Sequence, residues 1–335
     1  MLPFRLVYSH DYFLPLGAHV FPAEKYRMIH KRLLDTGWAE PRDFVVPQPA
    51  SDDDVLLVHT REYVQKLKSG TLTAEEEMRM EVPYSPELVK AFWLMAGGSI
   101  LAADLALEEG MAVNIGGGFH HAFPDHGEGF CVVHDVAVAI KRLHNQGKLN
   151  RAMVVDLDVH NGNGTAAIFP PKIRAGHPLP SASAIRSDLH ALDRDQHHGH
   201  GELEVFTISL HQAHNYPLDK PPSSIDVHLP DATNDDEYLN WLDQSLSSAF
   251  RHFSPELICY LAGADPYKED QLGGLSLTIE GLKKRDELVM RVAQTHNVPV
   301  MVTYAGGYAR CVEDTVTIHC NTVIAAKEVW EKAHH

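Results

Sequence analysis

Short apolar runs rich in β-branched residues alternate along this chain with longer amphipathic stretches. The runs at 5–8, 112–115, 152–157, 205–210, 257–261 and 299–304 predict strands. The stretches at 23–34, 86–109, 133–145, 235–252 and 278–296 predict helices. The last opens on Thr278-Ile279-Glu280 and carries Leu282, Leu288, Val289 and Val292 on one face. Such alternation predicts an α/β fold in three layers, a mostly parallel sheet with helices on both faces. No repeat period or long linker interrupts it, so one domain is expected over residues 1–335. Residues 171–203 break the rhythm. They are rich in Pro, Ser, Asp, Gly and His, and a connection of that length reads as a surface insertion. Its histidines His190, His197, His198 and His200 read as solvated rather than metal-binding.

In an open α/β sheet, ligands bind beyond the carboxyl ends of the strands. Five polar or glycine-rich clusters fall there: Gly116-Gly117-Gly118-Phe119-His120-His121, Asp156-Leu157-Asp158-Val159-His160, His211 to Tyr216, Gly263-Ala264-Asp265 and Tyr304 to Tyr308. A strand turns alternate side chains to one face, which groups Asp156, Asp158 and His160. Two carboxylates and an imidazole, Asp158, His160 and Asp265, would bind one divalent metal and leave room for water and a substrate oxygen. His120 and His121 suit a general acid and base, with Asp156 fixing the tautomer of one ring. Tyr308, after two glycines, could donate to the oxyanion of a tetrahedral intermediate.

Composition narrows the class. The chain is 44% apolar and 22% charged, ordinary for a soluble globular protein, and its net charge is −16. That charge disfavours nucleic acid and anionic membranes and favours cationic substrates such as lysine side chains or polyamines. Cys131, Cys259, Cys311 and Cys320 form no C-x-x-C pair and read as free thiols in a reducing compartment. The first residues lack the basic and apolar regions of a signal peptide, and the weakly polar run 91–103 is too short to span a bilayer. A cytoplasmic location is expected.

The stretches GGGFHHAF (116–123), GEGFCVVHDVAVAI (127–140), VVDLDVHNGNGTAAIF (154–169), ISLHQAHNYP (208–217), YLAGADPYKEDQLGGLSLTIEGLKKRDELV (260–289) and YAGGYAR (304–310) resemble the zinc-dependent histone deacetylase family, as does LLVHTREYV (56–64). The resemblance covers nearly the whole chain except 171–203. The block from Leu272 and the run Asn161-Gly162-Asn163-Gly164 look most like the class IV branch and its bacterial relatives. It implies the arginase/deacetylase fold and hydrolysis of an acyl-lysine or related acyl-amine. Asp158, His160 and Asp265 then resemble the ligands of Zn2+, with Fe2+ as an alternative ion. His121 resembles the general base, His120 its electrostatic partner, Asp156 the carboxylate behind His120 and Tyr308 the transition-state tyrosine. Gly129 resembles the backbone acceptor, Phe130 and Tyr216 the walls of an acyl-lysine tunnel, and Gly306 a further substrate-binding position. Asp156, Asp158, His160, Ser209 and Leu210 resemble a structural K+ site.

Two positions depart from that pattern. Asn163 stands where many members carry an aspartate, and a neutral amide supports a cationic imidazole less well, so His121 should titrate lower. Tyr216 replaces a commoner phenylalanine and adds a hydroxyl to the tunnel. Other readings make different demands. An arginase-like amidinohydrolase needs bridging carboxylates for two manganese ions, where this chain offers Asn163 and Pro266. A catalytically silent acyl-lysine-binding protein would not need His120, His121 and Tyr308. Among deacylases, acetyl-lysine, acetylpolyamine and long-chain acyl-lysine all fit the chemistry.

Overall fold

A computed structural model describes residues 1–171, 187–189 and 201–333 of the chain. Among them, nine strands form one sheet: β1 (Arg5–Val7), β2 (Phe44–Val45), β3 (Met111–Asn114), β4 (Arg151–Asp156), β5 (Ser187–Leu189), β6 (Glu204–Gln212), β7 (Ile225–Leu229), β8 (Leu257–Leu261) and β9 (Val300–Thr303). Their order is β2-β1-β3-β9-β8-β4-β6-β7-β5. Eight run parallel, and β5 closes one edge antiparallel to β7. The central strands β3, β8 and β9 are buried at every position, as expected of parallel strands covered on both faces.

Ten α-helices accompany the sheet among the described residues: α1 (Lys25–Asp35), α2 (Asp52–Val55), α3 (Arg61–Ser69), α4 (Ala74–Met80), α5 (Pro86–Glu109), α6 (Asp135–Asn145), α7 (Asn163–Ile168), α8 (Asp235–His252), α9 (Ile279–Thr295) and α10 (Val312–Ala333). α5 and α6 pack together on one layer, while α1, α10, α9 and α8 follow one another in contact on the other. Local chemistry sets their ends. The Ser85 hydroxyl accepts from Leu88 N–H (3.0 Å), Pro86 occupies the first turn, and Gly110 closes α5 in the left-handed region. Thr278 caps α9 by accepting from Gly281 N–H (2.9 Å).

The predicted strands and long helices are present with small shifts at their ends. Missing from the sequence reading are β2, β5, β7, the short helices and α10. The α10 sequence, VEDTVTIHCNTVIAAKEVWEKA, is dense in β-branched residues that favour strands, and packing against α9 and α1 overrides that preference. Within 171–203, Ser187–Leu189 returns to the sheet as β5; the clustered histidines lie outside the described residues. β4 ends at Asp156 and the chain beyond it turns as a loop, so loop geometry rather than strand alternation brings His160 Nδ1 to 3.0 Å from Asp158 Oδ1, while Asp156 turns to His120. The apolar stretch is also longer than 91–103. α5 has 24 residues, long and apolar enough to cross a membrane, but two-thirds of its apolar window is buried, chiefly against β3, β9 and α6.

Candidate active site

The loops leaving β4, β8 and β9 converge at the carboxyl edge of the sheet. Asp158, His160 and Asp265 meet there, and one donor atom from each lies within 4.8 Å of the others. His160 Nδ1 is 3.0 Å from Asp158 Oδ1 and 3.4 Å from Asp265 Oδ2. Backbone donors hold the carboxylates: Gly306 N–H gives to Asp158 Oδ2 (2.7 Å) and Val159 N–H to Asp265 Oδ1 (2.8 Å). Asp265 Oδ2 is buried and takes no hydrogen bond. Burial and the Asp158 carboxylate push Asp265 up to about 7, as two carboxylates crowded into a dry site must be. An orphaned carboxylate oxygen beside a second carboxylate and an imidazole is a donor set that fits a divalent cation. The β9 loop approaches so closely that a Cβ on Gly306 would sit 1.9 Å from Asp265 Oδ2, so only glycine fits.

His120 and His121 face this cluster with ring centroids 4.0 Å apart, both buried. Their outer nitrogens meet different partners. His120 Nδ1 lies 2.7 Å from Asp156 Oδ2, and His121 Nδ1 lies 2.7 Å from Asn163 Oδ1. Burial disfavours charge on both rings. On His120, Asp156 and Asp158 overcome it and hold the ring up at about 9. On His121 the charges of His120 and His160 add to burial and push the ring well below the ordinary imidazole value. At neutral pH the first is a cation and the second a neutral base.

A narrow cavity beside the pair is lined by His120, His121, Gly129, Phe130, Gly306 and Tyr308 among others. Asp270 Oδ2 accepts from the Tyr308 backbone N–H (2.7 Å), fixing where that residue leaves the β9 loop. Burial and then Asp158 and Asp265 push the Tyr308 phenol well up, so it keeps its proton as a donor. Gly129, at φ +52, fits against both His121 and Tyr216, whose rings are 5.0 Å apart. Phe130 packs 5.9 Å from Tyr308. Register sets Asp156 of β4 opposite Ser209 of β6, with Leu210 next along.

Three contributing residues went unassigned in the sequence. Glu128 accepts from Asn163 Nδ2 (2.6 Å) and from the Tyr216 hydroxyl (2.8 Å). Lys25 is fully buried, and its Nζ donates to the Ala305 carbonyl (2.8 Å). Arg285 is also fully buried and donates to the carbonyls of Gly263 (2.6 Å) and Leu157 (3.2 Å). Glu128 lay inside a recognised motif, but spacing does not reveal what its carboxylate meets. Arg285 lay inside the resembling block 260–289 as well, where nothing in the spacing tells which carbonyls its guanidinium reaches.

Donor set and position define the class: a triad able to hold a divalent cation, with a histidine pair, at the carboxyl edge of a three-layer α/β sheet. The family follows from comparison. Residues 19–323 match the model of the histone deacetylase domain. Histone deacetylase 2 of Arabidopsis thaliana is 32% identical over 93% of this chain and 77% of its own length. An uncharacterized protein of Picosynechococcus is 36% identical over 98% of this chain and 99% of its own. The crystal structure of an HDAC homolog complexed with SAHA shares the fold at TM-score 0.75 and 22% identity, over 98% of this chain and 84% of that one. The chain belongs to the histone deacetylase family, whose members are hydrolases.

Proposed function

We propose that this chain is a metal-dependent deacylase that hydrolyses the amide of acetyl-lysine or a related acyl-amine. The observation that carries the proposal is the meeting of Asp158, His160 and Asp265, with their unpartnered oxygen, beside two histidines whose outer nitrogens face different partners, Asp156 and Asn163. Zinc or ferrous ion held by those three side chains would supply Lewis acidity to the amide carbonyl and to a water. His121 turns Nδ1 to Asn163, so Nε2 is the atom that takes a proton from the attacking water. His120, kept cationic by Asp156, adds positive charge where the carbonyl oxygen becomes an anion, and the Tyr308 hydroxyl donates to that oxygen. Protonated His121 then returns its proton to the leaving amine. Phe130 and Tyr216 would flank the lysine stem, worth roughly 0.8 kcal/mol per buried CH₂, and the Gly129 carbonyl would accept the substrate N–H. Asp156, Asp158, His160, Ser209 and Leu210 are the proposed K+ site. The class IV-like motif around Asn163 and a cytoplasmic location belong to the same reading.

The test is turnover. An acetyl-lysine peptide, an acetylpolyamine and a myristoyl-lysine peptide, compared by kcat/KM, identify the substrate class. Asp265→Ala should lose its metal by elemental analysis and lose activity with it. Tyr308→Phe should lower kcat by about 10²–10³. Near wild-type turnover in Tyr308→Phe, or metal retained at full stoichiometry in Asp265→Ala, overturns the assignment.

A further inference from the structure

The two positions at which this chain departs from the pattern it resembles meet at one oxygen. Asn163 Nδ2 donates to Glu128 Oε1 at 2.6 Å, and the Tyr216 hydroxyl donates to the same atom at 2.8 Å. On its other side, Asn163 Oδ1 accepts from His121 Nδ1 (2.7 Å) and from Gly164 N–H (3.0 Å). The second Glu128 oxygen lies 3.5 Å from His126 Nε2. The Glu128 side chain is only 20% exposed. Although burial opposes it, His126, Tyr216 and Asn163 hold the carboxyl below the usual range, so it is ionised at neutral pH.

An ionised carboxylate can only accept hydrogen bonds. It obliges the Asn163 amide to present its NH₂ to Glu128 and its oxygen to His121. An amide oxygen can also only accept, so Nδ1 of a neutral His121 must carry the proton. Nε2 is then left with its lone pair directed at the cavity. We propose that Glu128 is a positioning residue for His121 that acts through Asn163. It fixes the orientation of the amide, selects the tautomer with Nε2 free, and supplies at one remove the negative charge that an aspartate at 163 would place in contact. The inference rests on reading His121 as the base. The Tyr216 hydroxyl, which donates to Glu128, ties a tunnel wall to the same carboxylate. A residue that only propped Tyr216 would alter substrate binding alone and could not be rescued by moving its charge.

The experiment is a charge-relocation cycle on the zinc-loaded full chain with an acetyl-lysine peptide. Glu128→Gln should lower kcat by about ten-fold and change KM by less than about three-fold, the scale of a lost supporting hydrogen bond. Asn163→Asp alone brings two carboxylates into contact and should also lower kcat. The double variant E128Q/N163D puts the charge directly behind His121 and should recover kcat to at least about five-fold above Glu128→Gln. A double variant no faster than Glu128→Gln, or a Glu128→Gln variant with wild-type kcat, overturns the proposal. A second readout needs no turnover. ¹⁵N NMR of labelled histidine should show His121 as the Nδ1–H tautomer in the native protein and a mixture of tautomers in Glu128→Ala; an unchanged tautomer counts against the proposal. If Tyr308→Phe abolishes turnover while the Glu128 variants are neutral, the inference fails and the deacylase reading stands. If the wild type turns over no acyl substrate yet the tautomer responds to Glu128, the function fails and the positioning role stands.

Discussion

Lys25 and Arg285 are both wholly buried, and both donate to backbone carbonyls of loops that build the site. Arg285 ties the β4 loop, which carries Asp158, to the β8 loop, which carries Asp265. Lys25 holds the β9 loop at Ala305, just before Gly306 and Tyr308. Their surroundings differ. Arg285 is adjacent to Asp286, with Nε 2.9 Å and Nη2 2.8 Å from one carboxylate oxygen, and Asp286 is itself held by the Tyr260 hydroxyl (2.5 Å) and Thr322 Oγ1 (2.7 Å). Lys25 has aromatic neighbours instead, with Nζ 4.9 Å from the Phe21 ring centre and 5.5 Å from that of Tyr26. Burial opposes both charges. Asp286 overcomes it and holds Arg285 well above its usual range, while Lys25 falls from 10.5 to about 8, only partly supported by the more distant Asp265, Asp158 and Asp270. A carboxylate in contact decides the outcome: one cation is locked on, and the other sits near the edge of losing its proton.

The largest effect should come from removing the paired cation. Arg285→Met leaves Asp286 buried and uncompensated and is expected to cost roughly 3–5 kcal/mol in urea unfolding. It also frees the Leu157 and Gly263 carbonyls, so metal affinity should fall by about ten-fold or more. The double variant R285M/D286L removes both charges and should regain much of the stability while metal affinity stays low. Full recovery of metal affinity in the double variant would break the view that Arg285 positions the two ligand loops.

Removing the unpaired cation should act in the opposite direction and with a pH signature. Below about pH 8, Lys25 is protonated in the folded and unfolded chain alike, and the folded state bears the full penalty of burying it. Between about 8 and 10.5 the unfolded chain still holds the proton that the folded chain has released, so stability rises with pH. The penalty is about 3 kcal/mol at its largest. Lys25→Met carries none of it. With metal content fixed, the stability difference between Lys25→Met and wild type should therefore shrink by about 3 kcal/mol from pH 8 to 10.5. A difference constant across that range would show that Lys25 is compensated as well as Arg285.

These cations mark the boundary of what the sequence makes legible. The sheet could be read because β3, β4, β8 and β9 are largely apolar on both faces, and the Asp158, His160 and Asp265 cluster because its residues lie in the loops that leave those strands. The residues alone left open which histidine Asp156 meets and the resemblance pointed to His120; Asp156 Oδ2 lies 2.7 Å from His120 Nδ1. What failed has a common cause, since contacts between distant segments leave no period. Lys25 reaches a carbonyl 280 residues away and Arg285 one 128 residues away. Glu128 and Asn163 meet only because the loop before α6 folds over the start of α7. α10 was missed for a different reason: its local preferences point toward strand, and only its partners make it a helix.

The smallest expected effect tests whether the Arg285–Asp286 pair is a network rather than an isolated ion pair. Thr322, on α10, gives its hydroxyl to the Asp286 oxygen other than the one facing Arg285. Thr322→Val keeps the shape and removes that donor, and loss of a hydrogen bond to a charged group should cost roughly 1.5 kcal/mol. The coupling says more than the cost. In Arg285→Met, Asp286 has only Tyr260 and Thr322 left, so removing Thr322 there should cost at least about 0.5 kcal/mol more than in the wild type. Additive losses would mean that Arg285 and Thr322 act on Asp286 independently, an isolated ion pair with a separate hydrogen bond rather than a network.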